Sequence, residues 1–299
     1  MNNAKNFNLF LMDGKVTGRI KCTLSNWTGL AYKIPSAYLD KCKDRSDLKQ
    51  SGVYFLFSNN EMEKNEVYIG QAGIRKNGEG ILFRVKEHLK DDFYFSDAVM
   101  LTTQNNSFGP TEISYLENKF TNMAIDTDRY TVRNGNDPNP GNVTEEKESE
   151  LLDFVEYSKM VLGVLGYKLF VPLLDDEGKS DAKDKSEKDE IFYLSSKSRK
   201  SNNLIEGKCK RTSEGFVVLA GSQIEEIDSD SLPVSLKELR NIAKEKGDII
   251  NGILQKNYLF NSPSYASMFI MGMSRNGRTD WKNNIGLTFK ELLEKEAQN

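Results

Sequence analysis

Five side chains in the first half of the sequence are of kinds that handle protons and charge: the phenols of Tyr54 and Tyr68, the guanidinium of Arg84, the imidazole of His88 and the carboxylate of Glu117. Meeting in one cleft, they could hold or relay a proton and offset negative charge on a substrate. Spacing alone does not show that meeting. Tyr54 and Tyr68 occupy matching positions beside a glycine in two short apolar runs, GVYFLFS and EVYIG. Arg84 and His88 are four apart and so project from neighbouring turns of one helical face. Each residue also has an ordinary explanation. A strand tyrosine commonly packs its ring and sends its hydroxyl to solvent. Arg84 has Glu87 within pairing distance along a helix, and Glu117 follows Leu116 where a helix turns away from its core. His88, the single histidine, reads in isolation as a partly buried helix residue.

The elements that must position these groups follow from periodicity. Residues 52–58 and 66–70 are β-rich and flank the polar loop NNEMEKN, which predicts a hairpin. GEGILFRVKEHLKDD then changes to helical period, with Ile81, Leu82, Val85 and Leu89 as the inward stripe. FYFSDAVMLTT, residues 93–103, supplies a third strand. TEISYLENKFTNMAIDT is again helical, capped at Thr111, with Ile113, Leu116, Phe120 and Met123 facing inward. A loop, VRNGNDPNPGN, precedes a second long helix from Glu145 toward Val161. Before all of these, NFNLFLMDGKVTGRIKCTLSNWTGLAYKIP alternates apolar and polar residues around DGK and SNWTG turns, which reads as a small β element, and SAYLDKCKDR offers a short helix capped by Ser36.

Of the 299 residues, 38% are hydrophobic and 28% charged, within the range of ordinary globular proteins. No apolar run approaches the roughly 20 residues that cross a bilayer, and the N-terminus has no secretory signal pattern, so no membrane contact and a cytoplasmic location are expected. Cys22, Cys42 and Cys209 form no close pair, which disfavours a disulfide framework or a cysteine zinc site. The net charge of −3 decides nothing about nucleic acid, because phosphate binding depends on where cations gather. Lys197, Arg199, Lys200, Lys208, Lys210 and Arg211 gather in one stretch. From Asp175 to Glu190, DDEGKSDAKDKSEKDE has no large apolar residue and reads as a flexible linker. The expected division is a β-rich extension (1–48), a central domain with its trailing helix (49–173), a charged linker (174–190) and an accessory α+β domain (191–299).

The central pieces, in order, resemble the GIY-YIG nuclease family. GVY matches the first signature tripeptide with Val53 in place of isoleucine, YIG matches the second, and Arg84, His88 and Glu117 match the later catalytic positions, over residues 51–136. The resemblance implies an α+β fold with a three-stranded antiparallel sheet flanked by helices, and cleavage of DNA phosphodiesters with one divalent ion. Glu117 would hold Mg²⁺ or Mn²⁺, a hard oxygen donor for a hard cation. Arg84 would neutralise charge on the pentavalent phosphate. His88 would orient a tyrosine or relay a proton. Tyr54 would accept the proton of the attacking water, either with its pKa lowered by nearby cations or by positioning a water that the metal acidifies. Tyr68 would bond water or phosphate, Gly70 would let the backbone approach the cleft, and Asn134 or Asn136, with Asn134 favoured, would match the family's later asparagine.

Farther on, SEGFVVLAGS, NYLFNSPSYASMFIMG and NGRTDWKN resemble the DUF4357 domain over residues 205–295. That resemblance carries no activity. Trp281 is expected to anchor the packing, with Arg275, Arg278 and Lys282 as candidate phosphate contacts. Trp27 is read as packing beside a turn in preference to binding a base. The chain has no Walker motif, hence no nucleotide cofactor is expected. A metal-dependent DNA endonuclease is the leading reading, with DNA as partner; a catalytically silent DNA binder or an interaction scaffold are the alternatives.

Overall fold

The computed structural model describes residues 4–59, 65–135, 138–174 and 191–298; Asn136 and the charged stretch 175–190 lie outside them. The chain divides into two compact units, Met1–Pro172 and Leu173–Asn299, each with its own apolar core. Both combine sheets with helices in an α+β fold.

In the first unit β1 (Phe7–Leu11), β2 (Ile20–Leu24) and β3 (Gly29–Pro35) precede β4 (Gly52–Ser58) and β5 (Glu66–Ala72). Helix α1 (Ile81–Glu87), β6 (Asp97–Thr103), α2 (Pro110–Thr127), β7 (Thr131–Val132) and α3 (Glu145–Val164) complete it. The strands form one seven-stranded sheet ordered β1-β2-β3-β6-β4-β5-β7, antiparallel except for the short β5–β7 pairing. The three-stranded sheet expected from the sequence is thus only its centre. The first strands are part of the same sheet, because β6 pairs with β4 on one side and over its whole length with β3 on the other.

The two-residue period of the strands sorts their side chains between two cores. Val53, Phe55, Phe57, Val67, Ile69, Val99 and Leu101 face α2 and α3, joined by Ile113, Leu116, Phe120 and Phe154. Tyr54, Leu56, Ala98 and Met100 face the other way, against Ile81, Leu82 and Val85 of α1. Covered on both sides, β4 is apolar without alternation, as a central strand should be. Trp27 is buried against Phe154, with ring centroids 5.1 Å apart, and Gly29 is required there because a Cβ would fall 2.1 Å from the indole.

Three local expectations differ from the structure. Helix α1 stops at Glu87 and tightens into a 3-10 turn over His88–Lys90, which rotates Leu89 out to solvent and leaves His88 buried. Helix α2 starts after Gly109 with Pro110 in its first turn, and the Glu112 carboxylate accepts from the Gly109 N–H at 3.0 Å, so the cap is not Thr111. Residues 36–42 form a 3-10 helix whose start is Pro35, with no side-chain cap from Ser36.

The second unit contains β8 (Ile191–Lys197), β9 (Leu204–Thr212), β10 (Gly215–Val218), α4 (Val234–Glu245), β11 (Ile249–Ile250), β12 (Ile253–Leu254) and β13 (Tyr258–Phe260). Helices α5 (Pro263–Met271), α6 (Gly277–Asp280) and α7 (Phe289–Glu296) follow. A four-stranded sheet, β13-β10-β9-β8, packs its Phe192, Leu194, Cys209, Phe216 and Val218 face onto the helices. Trp281 is fully buried, and its indole N–H donates to the Pro263 carbonyl at 2.9 Å.

Candidate active site

The register of the β4–β5 hairpin places Tyr54 opposite Gly70 and Leu56 opposite Tyr68. Both phenols therefore project from the α1 side of the sheet, on the diagonal of adjacent strands. Their rings lie 6.3 Å apart and nearly parallel. Gly70 is the partner that permits this: a Cβ at that position would sit 2.4 Å from the Tyr54 hydroxyl. The close approach at Gly70 is thus made by the Tyr54 ring crossing β5.

Above the phenols stands the end of α1. The Tyr54 hydroxyl is 2.8 Å from His88 Nε2, and His88 Nδ1 is 2.6 Å from the Asp91 carboxylate. His88 also packs against Tyr68, 4.9 Å between ring centroids. Arg84 lies one turn earlier and donates to Glu87 at 3.0 Å, while Arg75 makes a two-bond pair with the same carboxylate at 2.9 and 2.8 Å. Shared between two guanidinium groups, Glu87 is held down to about 2. Arg84 also hydrogen-bonds the Tyr54 hydroxyl, and its charge acts on Tyr54, Tyr68 and Glu117.

Glu117 comes from α2, on the opposite side of the sheet. It reaches the other groups around the outer edge of β5, where among the described residues only Glu66 and Val67 are paired, with β7. There Gln71 Nε2 donates to Glu117 at 2.9 Å and to Ser114 Oγ at 3.3 Å. Asn134 lies on the same edge, but its side-chain amide exchanges two hydrogen bonds with the Ile69 backbone, at 3.1 and 2.7 Å. It extends the β7 pairing by one step and fixes the edge.

Protonation follows burial. Tyr54 is 1% exposed and its pKa is raised well above the ordinary phenol, chiefly by desolvation and then by Tyr68, with Arg84 opposing. Tyr68 is raised by burial and by the Glu117 charge. Burial raises Glu117 as well, while hydrogen bonds from Gln71 and the Arg84 charge pull it back. His88 is lowered by burial against the pull of Asp91. Of the two ways the sequence offered for activating water, a phenol with a lowered pKa is therefore not what this environment produces on its own.

Tyr54, Tyr68, Arg84, His88 and Glu117 thus converge on one edge of the sheet. Sequence reasoning missed Asp91 and Gln71. The second was legible as the polar residue directly after YIG, whereas the first is one acid of a charged run. Among the described residues, no group of three or more His, Cys, Asp or Glu side chains has metal-holding geometry. Glu117 is the carboxylate that faces the cluster, a donor set that suits a hard ion keeping most of its waters.

In the second unit, the candidate cations separate into two groups. Lys210 is buried, Arg211 pairs with Glu296 at 3.1 Å and lies over Phe289, and Arg275 makes a two-bond pair with Asp280 at 2.9 and 2.8 Å. Arg211 and Arg275 thus have carboxylate partners within the fold, and Arg211 stays exposed beside its own. Lys197, Arg199, Lys200, Lys208, Arg278 and Lys282 are exposed. Antiparallel pairing of Tyr193 with Lys208 on one side and Lys282 on the other sets an exposed aromatic between two lysines.

Comparison with protein families matches residues 198–293 to the family described as Domain of unknown function (DUF4357), so the second unit contains a DUF4357 domain. Neither the curated proteins nor the solved structures gave a match. No helix among the described residues is long and apolar enough to cross a membrane.

Proposed function

We propose that the first unit is a metal-dependent endonuclease of the GIY-YIG type that hydrolyses DNA phosphodiesters in the cytoplasm. The observation that supports this reading most directly is the convergence of two phenols, a guanidinium, an imidazole and a carboxylate around β5, from five different elements. Glu117 would hold Mg²⁺ or Mn²⁺ through its carboxylate, and Gln71, which donates to that carboxylate, would fix the rotamer that presents it. That ion, when bound, supplies Lewis acidity and charge to offset a phosphate. The cation also answers the otherwise unfavourable burial of Glu117. Arg84, anchored through Glu87, directs its remaining donors at the phosphate oxygens, whose charge grows in the pentavalent state. Tyr54 and Tyr68 hold the attacking water in line, and Tyr54 takes its proton as the oxygen bonds to phosphorus. Asn134 keeps β5 in place while this occurs.

The second unit contributes backbone contacts, through Lys208 and Lys282 on either side of Tyr193 and through Lys197, Arg199, Lys200 and Arg278. A supercoiled plasmid should be nicked or linearised by the full chain with Mg²⁺ or Mn²⁺, and EDTA or Glu117→Ala should abolish the cut. A folded chain that binds plasmid without cutting it under either ion would replace this reading with that of a silent DNA binder.

A further inference from the structure

We propose that Asp91 is a positioning residue that holds His88 as the Nδ1–H tautomer, so that its bare Nε2 receives the proton of Tyr54. The catalytic consequence rests on the nuclease reading above; the tautomer does not. An ionised carboxylate can only accept, so at 2.6 Å from Asp91 the Nδ1 atom must carry a proton. A neutral imidazole then has a lone pair at Nε2, and the Tyr54 hydroxyl 2.8 Å away must be the donor. The neutral ring fits its surroundings. His88 is 6% exposed, enclosed by Tyr54 and Tyr68 from the strands and Arg84, Glu87 and Asp91 from its own segment, with Arg84 disfavouring and the two carboxylates favouring a charge on the ring. Asp91 itself keeps 54% of its side chain in contact with solvent, so the pair is anchored where the carboxylate stays hydrated.

This arrangement answers the difficulty set by the buried phenol. Tyr54 need not ionise beforehand: as it takes the water proton it passes its own to His88. The water oxygen forms its bond to phosphorus while the bond from phosphorus to the leaving oxygen breaks. The imidazolium then gives its Nε2 proton to solvent, the leaving oxygen takes one from solvent, and Asp91 remains a carboxylate throughout. Protons and charge balance.

Because the chain has one histidine, a nitrogen NMR spectrum of the full protein labelled at histidine reads this ring alone. At neutral pH the expected spectrum shows a protonated Nδ1 and a bare Nε2. Asp91→Ala should move the population toward the Nε2–H form that a solvated imidazole prefers. It should also lower kcat for plasmid cleavage about 10- to 100-fold with KM unchanged, the usual cost of losing an orienting partner. Asp91→Glu should restore part of both. An Nε2–H ring in the unmodified protein, a wild-type spectrum in Asp91→Ala, or a shifted tautomer with undiminished kcat would each overturn the proposal. The expected spectrum in a protein that cuts no DNA would uphold the tautomer and remove the nuclease reading instead.

Discussion

Arg240 in the second unit has no solvent exposure, and its donors are met on every side: Nε by Asp228 at 2.8 Å, and the two terminal nitrogens by the carbonyls of Phe269 and Glu225. Arg84 in the first unit keeps 40% of its side chain exposed and is tied to the Tyr54 hydroxyl and to one carboxylate that it shares with Arg75. The same contrast extends outward. Elsewhere in the second unit charges are also paired, Arg275 with Asp280 and Lys256 with Asp248. Around Arg84 the ionisable groups lie close together with several shifted toward their neutral forms, Tyr54, Tyr68 and Glu117 upward and His88 downward. A buried charge that is fully answered holds a fold; a cluster left partly unanswered holds something ready for a ligand. The family match falls on the first kind of region and the proposed site on the second.

The comparison breaks most visibly at Glu117. Glu117→Gln should cost several kcal/mol of transition-state stabilisation, about 10³-fold in plasmid cleavage. It should also raise the thermal midpoint of the first unit at neutral pH. Burial places the Glu117 pKa above 4.5, so its contribution to stability is complete below that value and declines as pH rises through the folded-state value. An unfolding scan in which Gln lowers stability would mean that Glu117 is a structural charge after all. Arg240→Ala should act in the opposite sense, removing about 3 kcal/mol from the second unit by leaving Asp228 and two carbonyls without their donor, visible as a lower urea midpoint.

Gly70→Ala tests how closely Tyr54 must lie on β5. Displacing the phenol on the scale of an ångström should lower cleavage about 100-fold, with circular dichroism unchanged. The His88 ring sets a gentler dependence. Because burial holds it below the ordinary 6.5, it remains a neutral acceptor as pH falls to that value, and cleavage should decline only at more acid pH. The stability of the first unit should share this limb, since the unfolded chain takes up the proton first as pH falls through 6.5 and the loss continues until the folded value is passed. Smallest of all, Lys208→Ala should weaken plasmid binding by about 1 kcal/mol and reduce its salt slope by roughly one, whereas Arg211→Ala, already paired with Glu296, should leave that slope unchanged.

The sequence made the centre of the first unit legible because the period of two in GVYFLFS and EVYIG and the four-residue step from Arg84 to His88 are local facts. What it concealed is what depends on distant pairing or on how an element ends. β3 joins β6 across a long intervening stretch, and no turn residue announces that neighbour. The change to a 3-10 turn at His88 buries the imidazole, exposes Leu89 and brings Asp91 beneath the ring, yet in the sequence Asp91 is one acid in a charged run. Lys210 reads as one more cation of a basic stretch, and only its place among Ile191 and Val217 on neighbouring strands accounts for its burial. Asn134 was visible as a polar loop residue, but its bonds to the Ile69 backbone depend on the parallel β5–β7 pairing.

The position of β6 between β3 and β4 also governs how the first unit is born. During synthesis β1, β2 and β3 emerge as a meander, and β4 and β5 as a hairpin, with the outer backbone of β3 and of β4 each lacking a partner. Both wait for the same seven residues, Asp97–Thr103. At translation speeds of roughly 5–20 residues per second that interval lasts on the order of seconds, long compared with the formation of a hairpin. For that time a nascent chain carries two open strand edges of high β propensity, the surfaces to which a chaperone or a second nascent chain attaches. β6 closes both at once, so damage to that one strand should be felt first as lost yield of folded protein.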